Sequence, residues 1–261
     1  MIYTKDIKQG ELPINQIICG DCLEVMRKFP DNSVDLIVTS PPYNLNKDYG
    51  KFKDNLEEKK YFEWCGKWLK ELFRILKADG RFCLNVADIL NCKTRPLSII
   101  LGFICLKVGF KFYVGINWKQ DDAYNKTCWG SWKSASAPCF ISDFEHILIF
   151  YKESKKKFKK GENDITSKEF RTWIKAGWRF KPETKLKSHP APFPIELPKR
   201  CIKLLSYIND IVLDPFLGTG TTAVACKQLG RRYIGIEISE EYCKIAEKRL
   251  AQENINDWVK K

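Results

Sequence analysis

Residues 212–225 read "VLDPFLGTGTTAVA". An apolar run ends at Asp214, Pro215 and Phe216. Gly218 and Gly220 follow, and Ala223 completes a G-x-G-x-x-A spacing as a helical pattern begins. Glycines between a strand and a helix let the backbone approach a ligand closely. Glu237 lies in the next strand-like run, "RRYIGIEI" (231–238), where a carboxylate accepts from ribose hydroxyls. The stretch predicts a nucleoside-containing cofactor bound to an α/β sheet. NAD is the default for this spacing, but a carboxylate at Asp214 is poorly placed beside a pyrophosphate. It suits an ammonium or a cationic centre, and S-adenosylmethionine carries both, together with a ribose and an adenine.

The same alternation extends on both sides. Upstream, "PIELPKRCIKLLS" (194–206) reads as a helix; downstream, "SEEYCKIAEKRLAQ" (239–252) reads as a helix opened by Ser239 with Glu240 and Glu241 in its first turn. Near the start, "NQIICGD" (15–21) and "VDLIVTS" (34–40) are strands around a short helical "CLEVMRKF" (22–29). "EEKKYFEWCGKWLKELFRILK" (57–77) is an amphipathic helix with Tyr61, Cys65, Trp68, Leu69, Leu72 and Leu76 on one face. "GRFCLNVAD" (80–88) is a strand, and Pro96 begins a helix running to about Val108 and stopped by Gly109. "KFYVGINWK" (111–119) and "FEHILIFYK" (144–152) follow with no helix between them, which predicts an antiparallel pair at the sheet edge. The whole reads as one doubly wound α/β domain over residues 1–261, with an insert at approximately 152–188.

Composition narrows the class. The chain has 261 residues, 44% hydrophobic and 13% aromatic, which indicates a packed globular protein. Its longest apolar run, "PLSIILGFICLKVGF" (96–110), is interrupted by Gly102 and Lys107 and is too short to span a bilayer. With no apolar leader at the start, a cytoplasmic location is expected. The eleven cysteines are scattered through apolar segments and read as small core residues. Cys19 and Cys22 have a C-x-x-C spacing, but no second pair exists to complete a zinc site, so no metal is expected. The net charge is +13, and +8 of it falls between Lys152 and Lys187, among Phe170, Trp173, Trp178 and Phe180. A basic, aromatic segment of this kind suits nucleic acid.

A second motif, "VTSPPYN" (38–44), ends the strand "VDLIV". Proline cannot donate to a sheet ladder, and two in succession hold the chain stiff and extended. Such a turn at a strand end can fix an aromatic ring and a hydroxyl.

"TSPPY" followed much later by "DPFLGTG" resembles the amino-methyltransferases of DNA, in the motif order of their β group. That resemblance covers residues 14 to 250 or so. It implies a circularly permuted, Rossmann-like methyltransferase fold with a mixed sheet and an inserted target-recognition region. S-adenosylmethionine is then the cofactor and double-stranded DNA the substrate; the partners implied are a cognate restriction endonuclease and, for the protein itself, a monomer or homodimer. The catalytic motif is Ser40, Pro41, Pro42 and Tyr43. Cofactor contacts fall on Asp21 (adenine), Pro190, Phe193, Asp214, Pro215, Phe216, Gly218, Thr219, Gly220, Thr221, Thr222 and Glu237. The family usually has Lys where Phe193 stands. Members with Ser at position 40 more often methylate the N4 of cytosine, and those with Asp more often the N6 of adenine. N4-cytosine is therefore expected, with N6-adenine as the alternative. A NAD-dependent oxidoreductase would use the glycine loop but not "SPPY", and RNA or protein-glutamine methylation is the nearer rival.

Overall fold

Alternating apolar residues and strand pairing set the architecture. The computed structural model describes residues 1–45, 48–49, 52–90, 93–120, 130–183 and 193–259, with the side chains of 48–49, 52–53, 89–90, 93 and 253–259 excepted. The strands of the main sheet are β1 (Ile2–Tyr3), β2 (Gln16–Cys19), β3 (Val34–Thr39), β4 (Leu76–Val86), β5 (Lys111–Gln120), β6 (Phe144–Tyr151), β7 (Gly177–Phe180), β8 (Ile211–Asp214) and β9 (Arg232–Glu237). The helices are α1 (Cys22–Met26), α2 (Glu58–Ile75), α3 (Leu97–Val108), α4 (Ser167–Trp173), α5 (Glu196–Leu205), α6 (Thr221–Gln228) and α7 (Glu240–Val259).

The sheet order is β1-β2-β9-β8-β3-β4-β6-β5-β7. From β1 to β4 every pairing is parallel, β6 runs antiparallel between β4 and β5, and β7 returns parallel to β5. The all-buried β3, "VDLIVT", sits in the middle, as expected of a strand covered on both faces. Phe82, Leu84 and Val86 of β4 face α2 and α3, with Trp68, Leu72 and Leu101 among the contacts. Cys83 faces the other way, into a core shared with Val38, Ile147, Leu197 and Cys201. Cys19, Cys243 and Ala246 belong to a third cluster between β2 and α7. Each fully buried large apolar side chain stabilises the fold by about 1.5–3 kcal/mol. No helix among the described residues is long and apolar enough to cross a membrane.

Three expectations change. Leu76 is not the last turn of α2: it is extended, pairs with Val34 and opens β4. Helical spacing continues through Leu76, but strand pairing to β3 decides its conformation. The antiparallel pair lies one strand in from the edge, because the 152–188 insert supplies the edge strand itself. Trp178 of β7 is buried, and Phe180 stacks on Trp118 at 4.9 Å. The aromatics Trp173, Trp178 and Phe180 therefore anchor the insert to the sheet. Arg200 of α5 lies over all three rings. Residues 184–188 of the insert lie outside the described residues.

Candidate active site at the carboxyl ends of the strands

Five neighbouring parallel strands, β2, β9, β8, β3 and β4, end on the same side of the sheet. In open α/β sheets this is where ligands bind. The first three strands carry the cofactor candidates, and β3 carries the candidate catalytic motif.

The glycine loop is built by backbone geometry. Gly220 has φ +88°, and a Cβ there would lie 2.7 Å from the Ala246 Cβ of α7. Gly218 also has positive φ, and its N–H donates to Glu237 Oε2 at 2.8 Å. Glu237 Oε1 accepts from the Ser239 N–H at 2.8 Å. Each Glu237 oxygen thus keeps acceptor capacity beyond its backbone partner, and burial raises its pKa. Asp21 caps α1: its Oδ1 accepts from the N–H groups of Leu23 and Glu24, at 2.9 and 3.1 Å. The preceding Gly20 donates to the Glu237 carbonyl at 2.9 Å, which brings the two acidic residues to adjacent strand ends. A glycine loop with two carboxylates beyond it fits a ligand carrying a ribose and an adenine.

Asp214 is buried under this loop. Its Oδ1 accepts from Thr39 Oγ1 at 2.6 Å and from Phe216 N at 3.1 Å, and its Oδ2 accepts from Thr222 Oγ1 at 2.6 Å. The carboxylate expected to meet an ammonium also holds the loop to the end of β3, and its Oδ2 carries a single partner among the described residues. Thr219 and Thr221 also turn inward: Arg249 Nη1 donates to the Thr219 carbonyl at 2.6 Å and to Thr221 Oγ1 at 3.1 Å. Phe216 packs edge-on to Trp68 at 5.3 Å, Pro215 is buried, and Phe193 packs on the α5 side. Pro190 lies outside the described residues.

Burial lifts the Asp214 pKa to about 6 against the opposing hydrogen bonds from Thr222, Thr39 and Phe216. The native carboxyl therefore holds its proton more tightly than the unfolded one, so stability falls as pH rises through this window. Relative to Asp214→Asn, the wild type is expected to lose on the order of 2 kcal/mol between about pH 4 and pH 6. Urea melts of both proteins across that range measure the difference, and a constant difference contradicts it.

At the end of β3, Ser40 Oγ and Tyr43 Oη are 3.0 Å apart, and Tyr43 Oη donates to the Asn85 carbonyl at 3.3 Å. The turn is braced from below. Tyr61 of α2 donates to the Pro42 carbonyl at 2.8 Å, and Arg95 donates to the Tyr43 carbonyl. Asn44 accepts from Leu56 N and donates to Leu56 O, and Asp54 accepts from the N–H groups of Asn44 and Leu45. The Pro41 carbonyl takes none of the hydrogen bonds among the described residues. The sequence does not single out Thr39 or Arg95, and it marks Tyr61 only as part of the apolar face of α2. Thr39 alone had a local signal, as the residue directly before the motif.

Residues 34–248 match the DNA methylase family along more than three quarters of the chain. The chain belongs to this family. A type II methyltransferase of Methanocaldococcus jannaschii, M.MjaVI, is 44% identical over 170 residues, which are 65% of this chain and 87% of that one. M.HpaI of Haemophilus parainfluenzae is 33% identical over 250 residues, 91% of this chain and 74% of that one. Among solved structures, TTHA0409 of Thermus thermophilus in complex with S-adenosyl-L-methionine superposes with TM-score 0.74 at 28% identity, covering 91% and 93% of the two chains. The PvuII DNA methyltransferase (cytosine-N4-specific) shares the fold, with TM-score 0.69 at 24% identity over 95% and 87%. This DNA methylase is thus an S-adenosylmethionine-dependent enzyme of the β-group amino-methylating type.

The methylase's basic insert divides in two. Lys152, Lys157 and their neighbours lie at the opposite, amino-terminal ends of β3, β4 and β8. Lys152 is buried and donates to Asn32 and to the Leu76 carbonyl, both at 2.8 Å, and Lys157 pairs with Asp35 and Asp210. Phosphate contact by the whole segment, as read from its charge, does not fit this placement. Arg179 and Lys181 are exposed and lie at the carboxyl end of β7, level with Gln120 at the catalytic side. Replacing Arg179 and Lys181 by Ala is expected to reduce the log–log salt slope of duplex binding by about 1.8, at about 0.9 per phosphate. Lys159 and Lys160, replaced likewise, should leave it unchanged. Equal slopes for the two pairs would refute the division.

Proposed function

We propose that this methylase acts on the exocyclic N4 of a cytosine swung out of double-stranded DNA. The observation that carries the site is the 2.6 Å hydrogen bond from Thr39 to Asp214, which joins the catalytic turn to the cofactor loop. A target base inside a duplex is out of reach, so extrusion precedes chemistry. Tyr43 offers the extruded ring a stacking face.

The hydroxyl pair orients itself. Tyr43 has one hydroxyl proton; directed at the Asn85 carbonyl, it leaves Ser40 to donate to the Tyr43 oxygen. The lone pairs of Ser40 Oγ then face an incoming N–H. With the Pro41 carbonyl as a second acceptor, the amino nitrogen is drawn out of conjugation and its own lone pair is directed. Preorganisation by two prolines keeps the reorganisation small. S-adenosylmethionine, when bound, would supply a methyl group on a positive sulfur, a leaving group able to keep the C–S bonding pair. Ser40 is neutral, so the amino proton released afterwards goes to solvent.

In the cofactor site, Glu237 accepts from ribose, Asp21 from adenine, and Gly218–Thr222 act through their backbone, with Phe193, Pro215 and Phe216 as apolar walls. Pro190 completes the set by resemblance alone. Cytosine is favoured over adenine by Ser, rather than Asp, at position 40. The names of its type II relatives support a role beside a cognate endonuclease. Nucleoside mass spectrometry of DNA from a methylase-free host, after reaction, is the test. N4-methylcytosine supports the proposal, N6-methyladenine alone overturns the base, and methylation of RNA or protein without DNA overturns the function.

A further inference from the structure

Asn85 is 3% exposed near the carboxyl end of β4. Thr39 pairs with Leu84, so the next residue, Asn85, comes alongside Ser40. Its main-chain carbonyl already receives the Tyr43 hydroxyl. Its side chain is held by a chain of three polar groups: Asn85 Nδ2 donates to Glu145 Oε2 at 2.7 Å, and Gln120 Nε2 donates to Glu145 Oε1 at 2.7 Å. A carboxylate only accepts, so Glu145 fixes which end of the amide it meets. The amide oxygen Oδ1 is left buried, with no hydrogen-bond partner among the described residues. Buried acceptors are nearly always satisfied, and an orphan one calls for a donor from elsewhere.

We infer that Asn85 Oδ1 is an acceptor for the amino group of the target base, with Glu145 and Gln120 as its positioning residues. The inference rests on the reading of Ser40–Tyr43 as the target site. The exocyclic amino group has two hydrogens and is the hydrogen-bond donor that adenine and cytosine share. One hydrogen goes to Ser40 Oγ, and the other is shared between the Pro41 carbonyl and Asn85 Oδ1. Oδ1 is out of contact with water in the structure. A base that stacks on the Tyr43 ring, whose hydroxyl lies against the same residue's carbonyl, has to uncover the amide as it enters.

Two variants of the full chain separate this role from simple bracing of the strand. Asn85→Leu removes the acceptor at nearly constant volume. Glu145→Gln keeps the volume and can donate to Asn85, whose amide then turns over so that Oδ1 faces residue 145 and is no longer available to the base. Single-turnover methylation of unmethylated DNA with enzyme in excess gives the rate, calorimetry gives S-adenosylmethionine and DNA affinities, and melting gives Tm. The rate is expected to fall roughly tenfold or more in both variants, while Tm holds or rises and both affinities stay within about twofold. If Asn85→Leu does not fold, Glu145→Gln decides. A wild-type rate in Glu145→Gln, or rate, affinities and Tm all falling together, overturns the inference. If Ser40→Ala slows transfer and the Asn85 and Glu145 variants do not, Asn85 alone is rejected. If neither Ser40→Ala nor Tyr43→Ala slows transfer by a wild type that methylates DNA, the target-site reading itself is rejected.

Discussion

Tyr43→Ala is expected to slow single-turnover methylation roughly five- to 150-fold, the rate equivalent of about 1–3 kcal/mol of lost base stacking. Affinity for S-adenosylmethionine should stay near wild type, because Tyr43 packs on the α2 side of the sheet and bonds to Ser40 and Asn85, not to the glycine loop. Tyr43→Phe is expected to lie between the two. It keeps the stacking face, but it releases the Ser40 hydroxyl from the partner that orients it. Tyr43→Ala with an unchanged rate, or with a cofactor affinity that falls as far as the rate, would remove the ring from the target site.

Asp214→Ala has the largest expected effect on the fold. It strands the hydroxyls of Thr39 and Thr222 in an interior that water does not reach, and it takes the partner from the partly buried N–H of Phe216. At about 1–3 kcal/mol for each buried group left unsatisfied, a destabilisation of about 3 kcal/mol or more is expected in urea melts. Cofactor affinity should fall by about 1–3 kcal/mol in calorimetry, through the slackened loop. Asp214→Asn, which retains an acceptor, should lose less. A stable Asp214→Ala protein with wild-type affinity would contradict the assignment of this carboxylate to the loop.

Much of this was legible because it is local. "DPFLGTG" and "SPPY" sit where the strand pattern stops, and a glycine loop or a double proline has the same consequence wherever the fold places it. The faces of α2 and β4 follow from spacing. What could not be read were contacts that depend on which strands become neighbours. Thr39 and Asp214 are 175 positions apart and meet because β3 and β8 pair. Lys152 and Lys157 look like any other lysines in a basic run, yet one is buried beneath β4 and the other is paired with two aspartates. Charge counting cannot distinguish them from Arg179. Periodicity places Leu76 in a helix because it sees its own segment and not the partner strand Val34–Thr39.

The sheet order has a bearing on how the enzyme comes into being. β2 and β3 are made early, but they are not neighbours: β8 and β9, made last, insert between them. A nascent chain emerging from the ribosome therefore exposes two unsatisfied strand edges until residues 211–237 arrive. Neither the cofactor loop nor its link to Ser40 exists in any shorter intermediate. Methylating activity in this topology appears only after β8 and β9 have been made, and the high sequence separation of the closing contacts places it among the slower steps of folding.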